Sequence, residues 1–141
     1  MTLIVDTAPI IAMADRNDPM GPAVIDILGQ EPGDLVIPAP VSAEIDYLLG
    51  ARLGRVARLA FLDDVAAGRF SVVGLTPAEH RTVREWEGRY SDLDPGLADL
   101  SVVVLAGRFR TRRILTFDQR DFRAMTSVSG EPLILLPADA A

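Results

Sequence analysis

Short apolar runs alternate along this chain with longer stretches in which apolar positions recur every three to four residues. The runs at Leu3–Val5, Leu35–Ile37, Phe70–Leu75, Arg112–Asp118 and Pro132–Pro137 read as strands. Each is bounded by Pro, Gly or a polar residue and shows no clean alternation, the signature of strands buried on both faces. The intervening stretches read as helices. A short one spans residues 9–14, and another spans 19–28 with Asp18 as its cap. A third spans 40–52, with Val41, Ile45, Leu48 and Leu49 on one face, and a fourth spans 55–67 beyond the break at Gly54. A fifth runs to about Tyr90 from Thr76-Pro-Ala-Glu79, a capping box with proline in the first turn. A sixth is opened by Asp94 and Pro95 and runs to about Arg108, and a short helical turn follows Asp118.

Strands alternating with helices predict an α/β fold with a parallel sheet covered on both faces. No linker, repeat or low-complexity segment divides residues 1–141, so one domain is expected. The tail from Ala138 to Ala141 reads as structureless.

Composition narrows the chemistry. Hydrophobic residues make up 49% of the chain and aromatics only 6%, which predicts an aliphatic core. There is no cysteine, so disulfides, thiolate metal sites and thiol nucleophiles are excluded. All 14 basic residues are arginine, which removes Schiff-base and lysine-dependent phosphate chemistry. The first residues run straight into a strand, and no run of apolar residues is long enough to span a bilayer, so a cytoplasmic protein is expected. The net charge is −6, a poor endowment for binding nucleic acid.

Two strands are expected to end in a carboxylate, at Asp6 and Asp118, and two helices carry one near their starts, at Glu44 and Asp99. Ligands of open α/β sheets bind outside the carboxyl ends of the strands. Parallel topology can bring these four groups to that rim. Four carboxylates without a base, thiol or amine would repel one another unless cations sat among them. Hard divalent ions with oxygen ligands are the natural occupants, and Mg²⁺ also accepts substrate phosphate oxygens. One or two such ions could activate a water for in-line displacement at a phosphodiester, and would offset part of the acidic charge.

Each member of the set has a plainer reading: Asp6 as a loop residue, Glu44 and Asp99 as partners of a helix dipole. Asp94 is better explained as an N-cap, Asp46 as a structural or supporting group, and Asp63 with Asp64 as a solvated face. His80 has no evident partner. An aspartyl-phosphate hydrolase would need a second aspartate where Ala8 stands, and a lysine.

The segments Leu3-Ile-Val-Asp6-Thr-Ala, Ser42-Ala-Glu44-Ile-Asp-Tyr-Leu, Leu97-Ala-Asp99-Leu-Ser and Arg113-Ile-Leu-Thr-Phe-Asp118-Gln-Arg-Asp-Phe resemble the PIN-domain ribonucleases, and within them the VapC toxins of type II toxin–antitoxin modules. The resemblance covers residues 2 to about 136. It implies a three-layer α/β/α sandwich around a central, mostly parallel five-stranded sheet. It implies a Mg²⁺-dependent endoribonuclease, with Mn²⁺ as a possible substitute, whose catalytic and metal-binding quartet is Asp6, Glu44, Asp99 and Asp118. Thr7, Thr116 and Asp121 match supporting positions, and Asp121 is an alternative to Asp118. The resemblance further implies a homodimer and a cognate antitoxin whose C-terminal segment lies over the site. Arg52, Arg55, Arg58, Arg108, Arg110, Arg112 and Arg113 are the candidate contacts to RNA or antitoxin. A PIN nuclease of RNA processing without antitoxin, or a catalytically silent binding module of the same fold, remains open on this reading.

Overall fold

The computed structural model describes residues 1–140; of the expected tail, Ala141 lies outside the described residues. The elements follow one another as β1 (Leu3–Val5), α1 (Thr7–Ala14), α2 (Gly21–Gln30), β2 (Leu35–Pro38), α3 (Ala39–Leu53), α4 (Arg55–Ala66) and β3 (Ser71–Val73). Then come α5 (Pro77–Arg89), a 3₁₀ turn (Ser91–Leu93), α6 (Leu97–Arg108), β4 (Arg113–Leu115), α7 (Gln119–Ala124) and β5 (Ile134–Leu136).

All five strands form one parallel sheet in the order β3-β2-β1-β4-β5. β1 is the central strand, and its residues Leu3, Ile4 and Val5 are wholly buried, as a short, wholly apolar strand in mid-sheet requires. The chain winds outward from β1 through β2 to β3, then returns to β4 on the other side. The strand order therefore reverses between β1 and β4, the topological switch point at which open α/β sheets form their crevice.

α6 packs across β1, β2 and β4. Its run from Leu100 to Ala106 is buried all round, which explains why it is apolar on every side. α1 lies between α2 and α3, and α5 covers α6. The α3–α4 hairpin turns at Gly54, whose φ of 94° favours glycine. The capping box at Thr76 forms as expected. Arg108 of α6 binds Glu79 and the Gly74 carbonyl, which holds the Glu79 carboxyl down at about 2.

Several expectations are corrected at their edges. β3, β4 and β5 are each three residues long, because the chain turns out of the ladder before the apolar run ends. Asp118 therefore does not end β4; it caps α7 by accepting the Asp121 N–H at 3.0 Å. Gly96, not Asp94, is the N-cap of α6, and Asp94 takes a left-handed φ of 48° after the 3₁₀ turn. Asp18 sits two residues before the N-cap of α2 and closes a local turn on the Met20 N–H. The described part of the tail is pinned rather than loose: Asp139 accepts from Arg123 and from the Leu135 N–H.

Candidate active site

Asp6 is the residue immediately after β1 and the N-cap of α1, yet its side chain makes no cap hydrogen bond. It is only 8% exposed. The hydroxyl of Thr116, just past β4 on the neighbouring strand, donates to Asp6 Oδ2 at 2.7 Å. The same Thr116 oxygen accepts from the Asp118 N–H at 3.0 Å. One buried hydroxyl thus ties together the two chain segments that leave the sheet at its switch point.

Burial pushes the Asp6 carboxyl above its ordinary value. Hydrogen bonds from Thr116 and the Thr7 backbone oppose the shift, while the charges of Glu44 and Asp118 add to it. Asp99, in the first turn of α6, is pushed up to about 6. Burial is the main cause, followed by Asp6, Asp118, Asp121 and Glu44, each of which disfavours its charge. Asp121 is raised as well, by desolvation and by Asp118. The fold therefore brings all five carboxylates into one electrostatic neighbourhood, with Asp6 at its floor and Glu44 exposed on α3 at its edge.

Among the described residues, no three His, Asp or Glu side chains are grouped tightly enough to hold a single ion as placed. The donor set nevertheless fits a hard divalent cation. It consists wholly of carboxylate and hydroxyl oxygens, and its members raise one another's pKa in a way that added positive charge would relieve. The hydroxyl of Thr7, named with Thr116 as a supporting group, is buried without a hydrogen-bond partner, and only the Thr7 backbone bears on Asp6.

The arginines divide. Arg113 is held by Glu31 at 2.7 Å and Arg112 by Glu131 at 3.1 Å. Both flank the amino end of β4, away from the Asp6 rim. Arg108 is committed to Glu79. Arg58 lies 2.8 Å from Asp46 across the α3–α4 hairpin, a charge contact whose angle is outside hydrogen-bond geometry, so Asp46 is structural. Among the described residues, Arg52, Arg55 and Arg110 form no ion pair, and all three are exposed. Arg52 and Arg55 bracket Gly54, close to the exposed Tyr47 and Val56.

Sequence reasoning missed an apolar cavity next to the rim, lined by Met20, Thr116, Phe117, Gln119, Pro137 and Ala138. Its lining is drawn from three distant stretches, and only Thr116, already suspected, was a signal for it.

No protein-family profile matches the chain. Ribonuclease VapC26 of Mycobacterium tuberculosis (strain ATCC 25618 / H37Rv) is 36% identical over 135 residues, spanning 96% of this chain and all of that protein. The crystal structure of VapC20 from Mycobacterium tuberculosis, described as a sarcin–ricin loop cleaving toxin, superposes with a TM-score of 0.79 at 21% identity. The match covers 92% of this chain and 99% of that one. VapBC2 of Rickettsia felis, solved bound to a DNA fragment from its promoter, superposes at 0.68 with 16% identity over 96% of this chain and 97% of the other. The two structural likenesses establish the fold, a PIN-like α/β/α sandwich. The near-full-length identity to VapC26 goes further: this chain belongs to the VapC family of PIN-domain ribonucleases.

Proposed function

We propose that the protein is the toxin of a type II toxin–antitoxin module, a Mg²⁺- or Mn²⁺-dependent endoribonuclease acting at the Asp6 rim in the cytoplasm. The observation that carries this reading is the buried Asp6, held by Thr116 at the switch point among four further carboxylates. Family membership supports the reaction class.

Asp6, Asp99, Asp118 and Glu44 would hold the metal, with Asp121 as an alternative to Asp118. A bound divalent ion supplies a water of lowered pKa and positive charge for the phosphate. The chain's own residues do the positioning. Thr116 fixes the Asp6 carboxylate and, through the Asp118 N–H, the start of α7. The raised pKa of Asp99 makes its ionised form costly when bare, so cation binding and its deprotonation are coupled.

Tyr47 and Val56 are exposed apolar residues on the α3–α4 hairpin, which also carries the exposed Arg52 and Arg55. Exposed apolar side chains on that hairpin support a protein interface there, which we assign to the antitoxin; a homodimer is the expected assembly. Among the described residues, no helix is long and apolar enough to cross a membrane.

The test is to incubate RNA with metal-stripped protein, with and without Mg²⁺, and to map the cut ends. Metal-dependent cuts leaving 5′-phosphate and 3′-hydroxyl are expected; metal-independent cuts with cyclic phosphate ends would overturn the mechanism. Thr116→Val should keep the fold but loosen Asp6, lowering cleavage about 10- to 100-fold, the range for partners that orient a metal ligand. A titration of rate against Mg²⁺ checks it: the half-saturating concentration should rise.

A further inference from the structure

Beside the acidic rim lies a cavity of about 450 Å³, lined by Met20, Thr116, Phe117, Gln119, Pro137 and Ala138. That volume falls within the roughly 300–1,000 Å³ usual for small-ligand sites. Its walls come from the residues ahead of α2, the β4–α7 connection and the turn after β5. Thr116 belongs to both places. Its hydroxyl holds Asp6 at 2.7 Å, and the residue also lines the cavity. The cavity therefore begins one residue away from the buried carboxylate.

We propose that this cavity receives one unpaired nucleobase adjoining the scissile phosphate, and that Phe117, Met20 and Gln119 set which base stands at the cut. The proposal rests on the endoribonuclease reading above. A base is joined to its phosphate through a single sugar, so a phosphate at the rim brings a neighbouring base to the cavity mouth. Phe117 is half-buried and offers a ring on which a base can stack. Met20 is 40% exposed and offers a soft, adaptable thioether to the same space. The Gln119 amide carries donor and acceptor together, the pairing that reads a base edge. No charged side chain lines the cavity, so a phosphate or an acidic peptide would lack a partner there, whereas a neutral base would not. RNA is read mostly where its bases are unpaired and splayed out, which suits a pocket that admits one base.

The test uses a short oligoribonucleotide carrying one mapped cut site, made with each natural base or an abasic sugar on either side of that site. Wild type, Phe117→Leu, Met20→Ala and Gln119→Ala are compared in two assays. One is cleavage in Mg²⁺; the other is binding by fluorescence anisotropy with Ca²⁺ in place of Mg²⁺. Removing the base on one side should cost the wild type about 10-fold or more in kcat/KM and in Kd, within the range of base–aromatic stacking. In Phe117→Leu the same removal should cost little, because that contact is already lost. Gln119→Ala should flatten the preference among natural bases. An equal loss on base removal in wild type and Phe117→Leu overturns the proposal. If Phe117→Leu does not fold, Met20→Ala and the exposed Gln119→Ala still decide it. Base-dependent binding of an oligoribonucleotide that metal-stripped protein cuts equally well would sink the metal-dependent nuclease reading and support the pocket. Cleavage without base dependence would sink the pocket alone. Variants that match the wild type in cleavage and in RNA binding with every base would overturn the proposal.

Discussion

Asp6→Asn is expected to abolish RNA cleavage while the protein remains folded. The loss should exceed about 100-fold, beyond what losing a merely supporting partner costs. The reason is that asparagine keeps the shape and an oxygen that can accept from Thr116, but not the charge. Stability should not fall, because burial already disfavours the ionised carboxylate at this position. Circular dichroism and thermal melting check the fold, and a gel assay checks the cleavage. A variant that still cut RNA in Mg²⁺ would remove Asp6 from the mechanism.

Asp99→Asn is expected to inactivate the enzyme and to stabilise the metal-free protein at neutral pH. The carboxyl sits at about 6 in the folded chain against an ordinary value of 3.8. Between those values the folded state holds a proton that the unfolded state has released. Asp99 therefore contributes a loss of metal-free stability as pH rises from about 4 to about 6, which then levels off. The variant lacks this contribution. Its melting temperature at pH 7.5 should be higher by about 2–4 °C for each kcal/mol of repulsion relieved, and the advantage should vanish near pH 4. Mg²⁺ or Mn²⁺ should raise the wild-type melting temperature at pH 7.5 and lose that effect as pH falls below about 6. The variant should respond weakly at every pH. Melting curves across pH, with and without metal, read both effects; identical slopes in the two proteins would contradict the assignment. Such a trade of stability for activity is common where a site concentrates like charges.

Much of this architecture is legible before any coordinates. Leu3–Val5 and Leu35–Ile37 are short, wholly apolar and closed by a polar residue or proline, the pattern of a strand buried on both faces. Asp6 and Asp99 are legible as a candidate pair because one follows a strand and the other begins a helix, and parallel topology can bring both to one rim. Asp118 is harder. The apolar run through Phe117 hides that β4 stops at Leu115, and that Asp118 is occupied in capping α7. The role of Thr116 depends on a hydrogen bond to a residue 110 positions away, which no local pattern reveals. The arginines mislead for a related reason. Arg112 and Arg113 read as free positive charge until register places Glu131 and Glu31 beside them. The cavity at Phe117 was invisible because Met20 and Pro137 meet it only in three dimensions.

The central claim is that these carboxylates form one metal site, and calorimetric titration of the metal-free protein with Mn²⁺ at pH 7.5 tests it most directly. Wild type should bind with measurable heat below millimolar metal, and Asp6→Asn should bind far more weakly. No heat of binding from the wild type at millimolar Mn²⁺ would contradict the account and leave a binding module that has kept the fold without its chemistry.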